Sequence, residues 1–241
     1  MIDITAERQR LREALLRRAD PAYVAELARV MQGDALKSYG VRTPDVRALA
    51  GDWAQAHQGV ERESLFALVD SLWRGDSYDK MSLALELLQR YKRWIPDLTW
   101  AHLDRWRRRL DNWGATDGLG VHTFGRWVLA DPGARLGHLR DLIADADVWS
   151  RRLALVATTW LNRNDDRFAD FTLALIDQVK AERHPMITKA VSWALREMTR
   201  RHPDRVAAYL DANRDALAAL VVREVDNKLR TGLKSGKRRG G

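Results

Sequence analysis

Four helix-forming segments recur along this chain at nearly constant intervals, and that recurrence restricts the fold more than any other feature. KMSLALELLQRY from Lys80, DGLGVHTFGRW from Asp117, RLALVATTWLNR from Arg152 and KAVSWALREMTR from Lys189 begin 37, 35 and 37 residues apart. This is the period of a solenoid made of helical hairpins. Within them the apolar residues keep the i, i+3, i+4, i+7 spacing of a helix: Met81, Ala84, Leu85, Leu88 and Tyr91 in one, Leu153, Val156 and Trp160 in another. No stretch alternates long enough to predict a strand. The six prolines (Pro21, Pro44, Pro96, Pro132, Pro185, Pro203) stand where helices should begin, with Asp20, Thr43 and Asp131 placed as N-caps before three of them. The reading is about a dozen helices of roughly 11 to 17 residues, whose short connections force neighbours back as antiparallel hairpins.

The expected fold is therefore all-α, a superhelical solenoid of HEAT-like helix pairs with a concave face for an extended ligand. Corresponding positions of stacked repeats fall in rows on one surface. Lys80, Asp117, Arg152 and Lys189 form one row; a row one turn earlier contains Trp113 and Val148, and one a turn later contains Val121, Val156 and Trp193. A single carboxylate then stands among cations and tryptophans. No linker or composition shift interrupts the chain before residue 232, which predicts one repeat domain over residues 1–231 and a flexible basic tail over 232–241.

Composition narrows the partners. The 241 residues carry a formal net charge of +8 and a pI near 10.0, so a polyanion such as nucleic acid is the default partner class. About half of the excess comes from Lys234, Lys237, Arg238 and Arg239 near the C-terminus. There is no cysteine, which removes disulfides, thiolate metal sites, iron–sulfur clusters and thiol nucleophiles. The histidines show no metal-binding spacing, and neither a phosphate-cradling glycine loop nor a serine-hydrolase elbow is present. No apolar run is long enough for a membrane span, and the charged start predicts a cytosolic protein, nucleoid-associated when bound to DNA.

The residues of the rows also carry a family resemblance. Asn112-Trp113-Gly114-Ala115-Thr116-Asp117, Trp149-Ser150-Arg151-Arg152-Leu153-Ala154 and Lys189-Ala190-Val191-Ser192-Trp193-Ala194-Leu195-Arg196 resemble the DNA alkylation repair (AlkD-like) glycosylases in order and spacing. Tyr39 to Arg47 is similar to the family's early glycine-x-x-threonine-proline segment. The resemblance implies that Asp117 is the catalytic carboxylate and that Trp113 and Trp193 are aromatic walls around the lesion nucleotide. It implies further that Arg152, or Arg151 beside it, contacts the phosphate near the lesion. Lys189 and Lys80 join them as cations for the DNA backbone. The implied partner is double-stranded DNA bearing alkylated bases, with no cofactor and no metal; a monomer is expected because the long concave surface already provides a site. One departure stands out: members of the family often carry an acid directly after the first tryptophan, where this chain has Gly114.

That chemistry suits the residues. A purine alkylated at N3 or N7 is cationic and already a good leaving group, so a fixed carboxylate near C1′ can stabilise the oxocarbenium-like sugar and orient water. Beside these readings stand plainer ones. A helical aspartate is commonly a cap or a solvated residue. Trp53, Trp73, Trp94, Trp100, Trp106, Trp127 and Trp160 are expected to pack between hairpins, Trp149 stays open, and Arg107-Arg108-Arg109 is expected to be a solvated helix face. Two other functions fit the same pattern: a noncatalytic paralogue that binds bent or branched DNA, and a protein-binding scaffold.

Overall fold

A computed structural model describes residues 2–31, 37–74 and 77–236, and among these every regular element is a helix. The chain, expected to form one repeat domain, gathers into two compact units, Met1–Leu119 and Gly120–Gly241. The first contains α1 (Ile4–Leu16), α2 (Pro21–Met31), α3 (Thr43–Ala56), α4 (Arg62–Trp73), α5 (Tyr78–Arg90), α6 (Trp100–Arg107) and α7 (Trp113–Leu119). The second opens with a π-helical turn, Gly120–Phe124, followed by α8 (Gly125–Ala130), α9 (Pro132–Ile143), α10 (Val148–Asn164), α11 (Ala169–Val179), α12 (Pro185–Met198), α13 (Pro203–Ala212) and α14 (Ala219–Thr231).

The hairpin repeat appears in what packs on what. In the first unit α3 packs on α5 and α5 on α7, while α4 packs on α5 and α6; in the second, α10 packs on α12 and α12 on α14, while α9 packs on α11. Every second helix thus stacks on its counterpart in the next repeat, as an α-solenoid requires. Burial follows position. α10 is covered from several sides and buries eleven of its residues, from Ser150 to Asn162, whereas α13 buries only Val206 and Leu210. α10 buries polar residues as well, among them Arg152, Thr158, Thr159 and Asn162, so its place inside follows from the helices that cover it rather than from an all-apolar surface.

Helix starts follow the sequence signals with two corrections. Pro21, Pro132, Pro185 and Pro203 are first residues of helices and Pro44 is a second residue, but Pro96 lies inside a 3-10 turn, Lys92–Asp97. Asp20 accepts hydrogen bonds from the backbone N–H of Ala22 and Tyr23, and Asp131 accepts one from Ala134. Thr43 is not a cap: it is already helical, and Arg42 before it offers no side-chain acceptor. The helices between residues 100 and 130 are also shorter than expected, with eight, seven and six residues in α6, α7 and α8.

The tryptophans assigned to packing are buried at 53, 73, 106 and 127 and half-buried at 94, 100 and 160. The indole N–H of Trp73 donates to the carbonyl of Trp106 at 2.7 Å, joining α4 to α6. The chain end expected to be a free tail begins by turning back. Gly232 closes α14 in the left-handed conformation at φ 73°, and Lys234 reaches Glu224 at 3.2 Å. Lys237, Arg238 and Arg239 lie outside the described residues.

Candidate functional site

The first unit holds Asp117, Trp113 and Lys80. Asn112 is buried and caps α7: its side-chain oxygen accepts from the N–H of Ala115 at 2.9 Å, and its carbonyl accepts from the hydroxyl of the fully buried Thr116 at 2.7 Å. The polar residues at both ends of Asn-Trp-Gly-Ala-Thr therefore pin the first turn of the helix. Trp113 is half-buried, and its indole N–H donates to the carbonyl of Val30 on α2 at 3.3 Å. Asp117, four residues on, falls one turn along on the same face and is half-buried.

Two glycines decide how α7 is held. A β-carbon at Gly114 would meet Met31 Cε at 2.6 Å and the Tyr78 hydroxyl oxygen at 2.8 Å, and one at Gly118 would meet Leu85 Cδ1 at 2.7 Å. Spaced one turn apart, they form a groove that admits Tyr78 and Leu85, two turns apart on α5. At Gly114 the notch is filled by the methyl of Met31 and the phenol of Tyr78. Burial raises the pKa of Tyr78 above the ordinary tyrosine range, Ser82 opposes this through a hydrogen bond, and the charges of Asp79 and Asp117 add to the rise. The group beside Asp117 is thus a neutral hydroxyl.

Lys80, expected to meet a phosphate, is only 3 % exposed, and its ammonium lies 5.9 Å from the centroid of the Tyr39 ring. Its neighbour Asp79 explains the Tyr39 segment. The Asp79 carboxylate accepts from Ser38 Oγ at 2.9 Å and from the backbone N–H of Tyr39 at 2.6 Å and Val41 at 2.9 Å.

The second unit holds the remaining residues. Asp147 caps α10 by accepting from both the N–H and the hydroxyl of Ser150 at 2.8 Å. Arg151 is committed to structure: it pairs bidentately with Glu182, at 3.2 and 2.8 Å, and donates to the carbonyls of Asp145 and Ala146. Arg152 is 5 % exposed and donates to the carbonyl of Met186 at 2.6 Å, tying α10 to the first turn of α12. Of the four cations assigned to the site, Lys80, Arg151, Arg152 and Lys189, only Lys189 is exposed, and Trp193, one turn later on α12, is half-buried. The row has a member that sequence reading missed. Arg223 is exposed and is the fifth residue of α14, as Lys189 is of α12 and Arg152 of α10. A further step of the repeat beyond Lys189 would have found it.

Arg107 and Arg108 pair with Asp104 at 2.7 and 2.9 Å, so that run is a partly neutralised helix surface. Among the described residues no group of histidine, aspartate and glutamate is arranged to hold a metal ion, and no helix is long and apolar enough to cross a membrane.

Comparison with known proteins agrees with this architecture. No curated protein sequence matches the chain. Among solved structures it is similar to a predicted DNA alkylation repair enzyme from Enterococcus faecalis, with 21 % identity and a TM-score of 0.59 over 89 % of this chain and 98 % of that one. The smu.31 protein of Streptococcus mutans UA159 also matches, at 16 % identity and a TM-score of 0.49 over 78 % of this chain and 96 % of that one. The first likeness shows the fold. The model of the family described as DNA alkylation repair enzyme matches residues 11–229, nearly the whole chain. The chain therefore belongs to the DNA alkylation repair enzyme family.

Proposed function

We propose that this protein is a monofunctional DNA glycosylase that hydrolyses the N-glycosidic bond of cationic alkylpurines, such as 3-methyladenine and 7-methylguanine, in duplex DNA and leaves an abasic site. Family membership already makes DNA alkylation repair its role and DNA its partner. The observation that carries the finer reading is Asp117, a half-buried carboxylate one turn beyond Trp113 on a helix pinned by Asn112 and Thr116.

In the proposed reaction the bond from C1′ to the purine nitrogen breaks with both electrons going to the base, which leaves neutral. The sugar becomes oxocarbenium-like, Asp117 stabilises that charge, and water oriented by the carboxylate adds to C1′ and gives up a proton. No metal takes part. The indoles of Trp113 and Trp193 offer π-faces to cationic character, each worth about 0.5 to 2 kcal/mol, which favours a charged lesion over an ordinary base. A purine that leaves without protonation needs no enclosing acid, so excision need not capture a flipped base. Lys189 supplies a cation for a backbone phosphate and Arg223 extends the same row. Arg151, with Nε, Nη1 and Nη2 all bonded within the fold, and Arg152, buried with Nη1 on the carbonyl of Met186, act through the fold.

Release of 7-methylguanine and 3-methyladenine from methylated duplex in chelator-containing buffer tests the reading. Wild type should release both and Asp117→Asn neither, with duplex affinity largely kept. Release by Asp117→Asn removes Asp117 from the chemistry. A second reading, a noncatalytic protein that binds bent or branched DNA, is favoured by Gly114, where an acid is common in the family. It wins if wild type binds such DNA and releases no base.

A further inference from the structure

We propose that Tyr78 is a positioning residue for Asp117 and that Gly114 is its matched partner, the two together setting where the carboxylate of α7 stands. This inference rests on the glycosylase reading above. Gly114 lies three residues before Asp117, so the two are neighbours on the helix surface. The α5 surface that packs there presents Tyr78, whose hydroxyl oxygen is 2.8 Å and whose Cε2 is 3.1 Å from where a β-carbon at 114 would be. Real β-carbons do not approach heavy atoms so closely. Any side chain at 114 must push aside the flexible end of Met31, 2.6 Å from that β-carbon, and also displace the phenol or lift the first turn of α7, and Trp113 and Asp117 move with that turn.

The phenol is itself fixed. It is largely buried, it hydrogen-bonds with Ser82, and the charged or titratable groups acting on it are Tyr23, Asp79 and Asp117. Because burial keeps it protonated, Tyr78 brings a polar oxygen to the side of Asp117 without a second negative charge. An acid at position 114 would instead place like charge one turn from the carboxylate. The pair replaces a charged neighbour with a neutral one and makes the spacing of α5 and α7 part of the site.

The test is a double-mutant cycle on the full chain, reading the single-turnover rate of 7-methylguanine release separately from duplex affinity, with thermal unfolding followed for each variant. Gly114→Ala should slow release about tenfold while duplex affinity changes by less than about threefold, because Asp117 and Trp113 are displaced and the cations that meet the duplex backbone are not. Tyr78→Phe, which removes one oxygen, should slow release by about threefold alone. Combined with Gly114→Ala, the same change should restore part of the lost rate, since it removes the nearer of the two Tyr78 contacts and leaves only the ring edge at 3.1 Å and the flexible end of Met31 to give way. Gly137→Ala, at a helical glycine with nothing within 4 Å of an added β-carbon, should release base at the wild-type rate. Wild-type release by Gly114→Ala, or a double variant no faster than Gly114→Ala, overturns the pairing while leaving the glycosylase reading standing. If Gly114→Ala does not fold, recovery of folding and release in the double variant supports the pair, and failure to recover overturns it. Absence of release from wild type overturns the glycosylase reading and this inference with it.

Discussion

Asp79 shows at a single side chain how this fold secures a loop that makes no helix. Its carboxylate takes three hydrogen bonds from Ser38, Tyr39 and Val41, fastening that stretch to the first turn of α5. Gly40 within it has φ 78°, and a β-carbon there would stand 2.1 Å from the carbonyl oxygen of Asp20, so only glycine fits. Asp79→Ala should lower stability by about 2 to 4 kcal/mol, because it strands buried donors as well as deleting bonds to a charged acceptor. Denaturant unfolding midpoints measure this, and a loss under about 0.5 kcal/mol would show the loop to be held otherwise. The glycine-x-x-threonine-proline motif was readable in the sequence as a family mark, but its cause was not. The carboxylate that needs it lies 38 to 41 residues away. Lys80 and Arg152 illustrate the same limit: repeat spacing placed both in the row, and nothing local announced that one would be buried by Tyr39 and the other taken by the carbonyl of Met186.

Among the elements, the helical stretch from Trp113 to Ala130 is set by its glycines. Gly114 and Gly118 admit α5, and in the second unit Gly120 and Gly125 admit α10, where an added β-carbon would lie 3.0 Å from Val156 and 2.5 Å from Trp160 respectively. Glycine costs helix propensity, about 1 kcal/mol per residue, and here it returns close approach between helices. Gly137 on α9 pays that cost with no neighbour to admit. Gly137→Ala should therefore stabilise the protein by about 0.5 to 1 kcal/mol, raising the melting temperature by about 1 to 4 °C. Gly125→Ala should lower it, and calorimetry on the two variants should find shifts of opposite sign. Equal shifts would mean that close packing of α8 on α10 does not decide the choice of glycine. Prolines made five of the fourteen α-helix starts among the described residues legible, those of α2, α3, α9, α12 and α13. They did not reveal the π-helical turn at Gly120–Phe124 or the short helices on either side of it.

For the molecule as a whole, fold class was legible because a repeat states its rule several times over, whereas a site states its rule once. All-helical architecture, hairpin stacking and the family followed from spacing and motif order. The exposure of each cation did not, since charge on a row says nothing about which donors the fold consumes. Stacking of every second helix has one more consequence. Within the second unit α12 is flanked by both α10 and α14, while α14 packs mainly on α12 and, less, on α13. Such an array opens from its ends rather than all at once, each helix protected by its neighbours. Amide hydrogens of α14 should exchange with solvent first, those of α12 later and those of α10 last, with their opening free energies in the same order by mass spectrometry. Equal protection across the three helices would mean that the unit melts as one body. Graded protection would mean that α14, which carries Arg223, opens without disturbing α10, so that an encounter with DNA could begin on a helix still free to rearrange.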